Sequence, residues 1–137
     1  MSVIEELIRQ EENGTISFGN YLLDSKKKVL DFEVKGDLYK VKTFQEITKL
    51  EKNGKMILEA VPGATIHNFD MTEKGVKFVV EAKEDLQLTL ELEPDVEYKI
   101  LVDSVNVGRT NTNMTGKVNF SIEMLENITK TVEIKKI

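Results

Sequence analysis

Strict alternation of apolar and polar residues between Leu86 and Val102 is the sequence feature that most limits the fold of this chain. Leucine occupies every second position from Leu86 to Leu92, and the positions between hold Gln, Thr or Glu. A corner falls at Pro94, which cannot donate to a strand ladder, and the alternation resumes at Val96. A period of two is typical of strands with one buried face. The stretch therefore predicts two strands joined by a corner.

Turn signals recur along most of the remaining chain. Lys35-Gly36 separates one pair of apolar runs and Asn53-Gly54 separates another, so each dipeptide predicts a β-hairpin. Gly19 interrupts an earlier strand, where a bulge or a close backbone approach is expected.

Short strands of this kind, roughly nine or ten in all and without intervening helices, define the predicted fold class. We expect an all-β protein: an antiparallel β-sandwich, immunoglobulin-like or jelly-roll-like. At 137 residues the chain has the length of one domain, so residues 1–137 are predicted to form a single sandwich domain.

The N-terminal segment, residues 1–13, is the one part that predicts a helix. Ser2 and Glu5 have the spacing of a capping box, and Asn13-Gly14 would end the helix. Its apolar residues fall on one helical face: Val3, Ile4, Leu7 and Ile8. A helix of about ten residues is marginal alone, so this face should be buried. Either this face covers an open end of the sandwich, or it packs against a partner subunit. In the second case, these four residues form the candidate oligomer interface.

Charge and composition narrow the classes of partner. The chain has 24 acidic and 19 basic residues, and only Arg9 and Arg109 are arginine. Nucleic-acid binding draws on a basic face and favours arginine, so neither nucleic acid nor an anionic membrane is an expected partner. The start lacks a secretory signal, and no window approaches the roughly 20 apolar residues that span a bilayer. We expect a cytoplasmic protein, or part of an assembly formed from the cytoplasm.

Catalytic and metal-binding patterns are weak. The chain has no cysteine and one histidine, His67, which is expected to be structural or exposed. No cofactor and no metal site are predicted. The acidic row Glu91, Glu93, Asp95 and Glu97 is expected to be a solvated face that discourages edge pairing. Binding of calcium by that row is the alternative.

Carbohydrate recognition would need an aromatic platform. Tryptophan is absent, and the chain has three tyrosines. Tyr98 shares the parity of the leucines and is predicted to lie in the core with its hydroxyl bonded at the rim. Tyr39 breaks the alternation of its hairpin, which makes it the candidate ligand-binding residue.

Two resemblances add to this interpretation. The C-terminal half is similar to immunoglobulin-like β-sandwich modules of bacterial polysaccharide-active enzymes, including lyases. The matching residues are Leu92, Pro94, Tyr98, Ile100, Val102, Asp103, Gly108, Thr112, Gly116, Val118 and Phe120. The words "SVIEELIRQEENGTISFGNY", "VLDFEVKGDLYKVKTFQEITKLEKNGK" and "VPGATIHNF" resemble small proteins of clostridia and related Firmicutes that are described as endosialidases.

The second resemblance implies sialoside hydrolysis, by an arginine triad and a tyrosine nucleophile paired with a glutamate. Two arginines cannot form such a triad within one chain, so a sialidase site would have to be assembled between subunits. The sequence therefore predicts a non-enzymatic β-sandwich that acts through homo-oligomerisation or a protein partner. The alternative is a carbohydrate-binding or accessory module with a glycan ligand.

Overall fold

The computed structural model describes residues 2–124 and 129–137, and these residues form thirteen β-strands and no helix. In chain order the strands are β1 (Ile8–Gln10), β2 (Ile16–Phe18), β3 (Lys27–Val34), β4 (Asp37–Phe44), β5 (Ile47–Lys52), β6 (Lys55–Val61), β7 (Thr65–Thr72), β8 (Gly75–Glu81), β9 (Leu86–Glu91), β10 (Glu97–Val102), β11 (Val105–Asn111), β12 (Lys117–Ile122) and β13 (Thr129–Lys136). The all-β prediction is confirmed. Within the described ranges no helix could cross a membrane.

The strands form two antiparallel sheets. Sheet A has the order β1-β2-β7-β8-β13-β10-β11, and sheet B has the order β12-β9-β6-β5-β4-β3. Neighbouring strands are antiparallel throughout both sheets. Strands from both sheets supply side chains to one apolar core, which gives a β-sandwich-like architecture.

The core follows the alternation of the sequence. Leu86, Leu88 and Leu90 are buried on β9, and Val132 and Ile134 are buried on β13. Burial of one side of each strand is what a period of two predicts when two sheets pack face to face.

Tyr98 is buried as its parity predicts. Its side chain is 2% exposed, and its hydroxyl accepts a hydrogen bond from the backbone N–H of Glu93 at 3.2 Å. The ring therefore fills the core while the hydroxyl is satisfied at the rim.

Both predicted hairpins are present. Lys35-Gly36 joins β3 to β4, and Asn53-Gly54 joins β5 to β6. Lys35 and Asn53 have φ values of 52° and 51°, as a two-residue turn that matches strand twist requires.

The predicted N-terminal helix is wrong. Residues 5–7 form a turn, and Ile8–Gln10 then pair with β2 at the edge of sheet A. The Leu7 N–H donates to the Ile4 carbonyl, and the Leu7 carbonyl accepts from the Gly19 N–H at 2.9 Å. Helical spacing put the apolar residues on one face, but a short helix is marginal. Strand pairing satisfies this backbone while Leu7 and Ile8 enter the core.

A buried polar link joins the two sheets near Gly19. The Thr48 hydroxyl donates to the Ala64 carbonyl at 2.7 Å and lies 2.8 Å from the Thr43 hydroxyl. The Thr65 hydroxyl donates to the Gly19 carbonyl at 2.9 Å. Gly19 has φ +101°, and an added Cβ would lie 2.4 Å from the Ala64 carbonyl oxygen. The close backbone approach expected at Gly19 is therefore what the structure shows.

Gly63 and Gly108 provide a matched test of this packing. At neither glycine is φ in the left-handed region, but a Cβ on Gly63 would lie 2.0 Å from the Phe44 carbonyl oxygen, whereas nothing lies within 4 Å at Gly108. We expect Gly63→Ala to lower the free energy of unfolding by about 1 to 3 kcal/mol through overpacking. Gly108→Ala should change it by less than about 0.5 kcal/mol. Urea unfolding measures both, and equal stability of the two variants would contradict this account.

Candidate functional sites

His67 lies in a closed polar cluster on the outer side of sheet A. Its Nε2 is 3.0 Å from Oε1 of Glu81, and the Tyr21 hydroxyl donates to Oε2 of Glu81 at 2.8 Å. His67 is 5% exposed and Glu81 is 2% exposed. Ile66 and Val80, their neighbours along β7 and β8, point into the core on the opposite side. The imidazole of His67 is therefore held in place between the buried carboxylate of Glu81 and the sheet.

A second set of hydrogen bonds continues across the same side. The Ser17 hydroxyl donates to Glu11 and accepts from the backbone N–H of Asn68 at 3.0 Å. The hydrogen bond from Ser17 lowers the pKa of Glu11, and the nearby Arg9 guanidinium acts in the same direction. Every buried side-chain nitrogen and oxygen in the described part of the chain has a partner. No unsatisfied group is left aimed at a ligand.

Asn68 explains why the sequence placed Phe69 on the wrong side of β7. Simple alternation puts Phe69 with His67, away from Ile66. Instead, Asn68 adopts φ +54° and the β7–β8 register shifts at this point, so Ile66 and Phe69 both face the core. A bulge of this kind adds one residue and reverses the parity beyond it.

The environment of Tyr21 favours the protonated form of its hydroxyl. Burial, the hydrogen bond to Glu81 and the charge of Glu81 raise the pKa of Tyr21 to about 12. An activated tyrosine nucleophile needs a lowered pKa or a base that can take its proton. The pKa of Tyr21 is raised and not lowered, while Glu81 accepts the hydrogen bond of its hydroxyl and has the position of such a base.

Tyr39 lines a cleft of about 210 Å³ between the two sheets. The floor is apolar and formed by Ile16, Val34, Ile57 and Phe69, while the rim carries Lys35, Asp37, Lys52, Asp70 and Met71. A cleft this small lies below the roughly 300 to 1,000 Å³ typical of small-molecule sites. It can admit one sugar-sized group, not an extended ligand.

Tyr39 is half-buried and shares the inner side of β4 with Val41 and Thr43. Burial and the charge of Asp37 raise the pKa of Tyr39. Asp37 is held by a hydrogen bond from Asn53 at 2.9 Å and by Lys52 at 3.5 Å, and both lower its pKa. The predicted ligand-binding residue is therefore part of a cleft wall and does not stand free as a stacking platform.

The acidic row does not converge on one point. Glu91 pairs with Lys55 at 3.5 Å, and Glu93 pairs with Lys136. Asp95 lies at the corner with φ +55°. Across residues 2–124 and 129–137 no three His, Asp or Glu side chains are grouped to hold a metal ion.

The four residues predicted as an oligomer interface lie inside the protomer. Ile4, Leu7 and Ile8 are 0%, 8% and 2% exposed, and Val3 is half-buried. Because the segment is not a helix, it presents no apolar stripe to a second subunit.

Exposed apolar residues occur instead on β11, the last strand of sheet A. Val105 is 63% exposed and Val107 is 58% exposed. Among the strands of residues 2–124 and 129–137, β11 pairs with β10 and no other, and on β11 itself the Gly108 N–H donates to Oδ1 of Asn106 at 3.0 Å. We call β11 the open edge. Sequence analysis missed it, because the Thr- and Asn-rich stretch after Asp103 has no clear alternation.

The other three sheet edges are protected. β1 has only three residues. β3 carries Lys27, Lys28 and a bulge near Asp31, where φ is +54°. On β12, the exposed positions hold the polar residues Lys117, Asn119 and Ser121. Charge, bulges and short length are the usual guards of edge strands; β11 has one charged residue, Arg109, and one bulge against β10, at Val107.

Comparison of the chain with protein-family models, curated proteins and solved structures gives no match. The resemblances described for the sequence therefore stay predictions.

The Tyr21–Glu81 pair gives a testable pH dependence. Since folding raises the pKa of Tyr21 from 10.0 to about 12, its contribution to stability is complete below pH 10 and is lost as the pH rises through 12. We expect the stability difference between the wild type and Tyr21→Phe to be constant below pH 10 and to shrink above it. Urea unfolding across this pH range measures the difference. Ultraviolet titration of the wild type should show one tyrosine ionising near 12 that is missing in the variant. An ordinary pKa for Tyr21 would contradict the geometry.

Proposed function

We propose that the protein is a non-enzymatic β-sandwich, immunoglobulin-like or jelly-roll-like, that acts by association of its own copies. The observation that carries this proposal is the open edge, where two exposed valines lie on a long strand with one charged residue and one bulge. Natural proteins usually protect such edges, and exposed valines beside this one favour a partner strand. A second copy of β11 is the occupant that we propose.

The sequence of β11 is compatible with antiparallel self-pairing. In the register centred on Gly108, all seven residues from Val105 to Asn111 have a partner. Val107 then faces Arg109 of the second copy, so like charges are not opposed, and the aliphatic stem of the arginine can cover the valine. Gly108 faces itself, and its side has no atom within 4 Å of an added Cβ. The pairing is isologous, as expected for a two-fold dimer.

The polar cluster around His67 supports the non-enzymatic part of the proposal. Its hydrogen bonds are all satisfied within the protein, and its acid and histidine are almost fully buried. A catalytic group needs contact with a substrate.

A second candidate function uses the Tyr39 cleft as a glycan subsite. The observation that favours it is the combination of an aromatic wall, Tyr39, with charged groups at the rim. The volume limits this site to one sugar unit, so affinity would be weak.

Self-association is tested by charging the open edge. We expect the wild type to be a dimer by size-exclusion chromatography with light scattering. Val107→Lys should weaken dimerisation about tenfold or more, because the new ammonium group would lie directly opposite Arg109 of the second copy. Leu30→Lys is the control, since Leu30 is 60% exposed on β3, a different edge. A monomeric wild type, or equal loss in the control, would contradict the proposal.

Cysteine trapping tests the register, since the chain has no cysteine of its own. In the proposed dimer the two Gly108 Cα atoms lie about 4.5 to 5.5 Å apart, within the range for a disulfide. Oxidised Gly108→Cys should therefore form a covalent dimer. Asn111→Cys should not, because its two copies would lie about 20 Å apart along the strands. Cross-linking of both or neither would rule out this register.

The glycan candidate is tested on a glycan array. Binding is expected to weaken about tenfold with Tyr39→Ala, since loss of one aromatic contact costs on the order of 1 kcal/mol or more. Lys52→Gln keeps the fold and should also weaken binding of an acidic sugar. Lys77→Gln, on the outer side of sheet A, is the control. Absence of binding to any glycan at millimolar concentration would exclude this function.

A further inference from the structure

The outer side of sheet B carries three lysines in direct cross-strand register. Lys28 on β3 is the partner of Lys42 on β4, and Lys42 is the partner of Lys49 on β5. We call these three residues the lysine row. Neighbouring strands lie about 4.8 Å apart, so the row places three ammonium groups across roughly 10 Å.

By itself, the lysine row lowers the stability of the fold. Like charges directly opposite on neighbouring strands are destabilising. Within the described part of the chain, the row forms no salt bridge within 4.0 Å, although Lys40 beside it pairs with Glu51 at 3.7 Å. Partial burial and then the charges of Lys26, Lys49, Lys28 and Lys40 lower the pKa of Lys42. Such repulsion in a chain of net charge −5 is more easily explained by an anionic partner than by stability.

An apolar depression lies next to the row. It has a volume of about 270 Å³ and is lined in part by Leu30, Leu38, Lys40 and Glu51. Leu30 and Leu38 are 60% and 45% exposed. Leu38, Lys40 and Lys42 are alternate residues of β4, so the depression and the row are about 13 Å apart along the strand.

The surroundings of the row limit the size of its partner. Glu59 is the cross-strand partner of Lys49, and Glu51 pairs with Lys40. These acids would repel a long polyanion or a bilayer, and the chain is acidic overall. The row also lacks arginine, the usual bidentate ligand of phosphate. A short carboxylate-bearing segment can contact the row without covering the acids.

We propose that the outer side of sheet B binds an acidic peptide segment of a partner protein, with one apolar side chain in the Leu30–Leu38 depression and carboxylates on Lys40 and the lysine row. An extended segment repeats its side chains on one side about every 6.6 Å. Laid along β4, the segment places an acidic residue over Lys40 at two positions from the apolar one and another over Lys42 of the lysine row at four positions. This surface is on sheet B and does not depend on self-association through the open edge.

The test uses a labelled peptide of sequence Leu-Ser-Glu-Ser-Glu and fluorescence anisotropy. The peptide should bind the wild type, bind less as salt rises, and be replaced poorly by the matched Leu-Ser-Gln-Ser-Gln peptide. Lys42→Gln with Lys49→Gln should weaken binding about tenfold. Lys77→Gln with Lys99→Gln makes the same charge change on sheet A and should leave binding unchanged.

Further measurements separate a binding role from a structural one. Removing opposed charges should raise the thermal midpoint of Lys42→Gln at low salt, whereas loss of a structural lysine would lower it. Val107→Lys should bind the peptide as the wild type does, even if self-association is lost. Equal binding of the Glu and Gln peptides, or no binding of either, would overturn the proposal. Lysine-dependent binding of phosphatidylserine vesicles or oligothymidylate, without peptide binding, would overturn it as well.

Discussion

Burial of one side of most of the strands is the constraint on which the rest of this structure depends. The inner sides of both sheets fill one core with aliphatic and aromatic residues. Functional groups are therefore confined to three places: the outer sides of the sheets, the strand edges and the small cleft at the end. The two outer sides differ in chemistry. Sheet A has a closed set of hydrogen bonds around His67 and Ser17, whereas sheet B has opposed positive charges.

The closed set on sheet A shows how a polar cluster can be structural while resembling a catalytic one. His67, Glu81 and Tyr21 have the residue types and distances of an acid–base relay. His67 and Glu81 are almost fully buried and bonded to each other, so each orients the other within the protein. The cluster joins β7 and β8 to the segment after β2, which is otherwise an irregular part of the chain.

The parts of the fold that depend only on residues adjacent in sequence could be predicted from the sequence. The turns at Lys35-Gly36 and Asn53-Gly54, and the burial of Tyr98, follow from turn chemistry and parity. The N-terminal segment was predicted wrongly because four apolar residues at helical spacing can also serve a turn and a strand. Only pairing with β2 decides between them, and that pairing is not a local property.

The candidate sites were harder to predict because they depend on register. Lys28, Lys42 and Lys49 are far apart in sequence, and only strand pairing puts them side by side. The bulge at Asn68 likewise reverses parity at a residue with no strong signal of its own. Tyr39 was identified from a break in alternation, but its position in a cleft wall depends on β5 and β7, which the hairpin pattern alone does not place.

The three-residue length of β1 has a consequence for how large any assembly can become. Sheet A ends at one side in β11 and at the other in β1. Strand-by-strand addition at both ends would give an open fibre, but β1 is too short to template a neighbour. If copies associate only through β11, association stops when two copies have paired. The asymmetry between the two ends of one sheet would thus make a closed pair the final product, and keep a β-rich chain from polymerising.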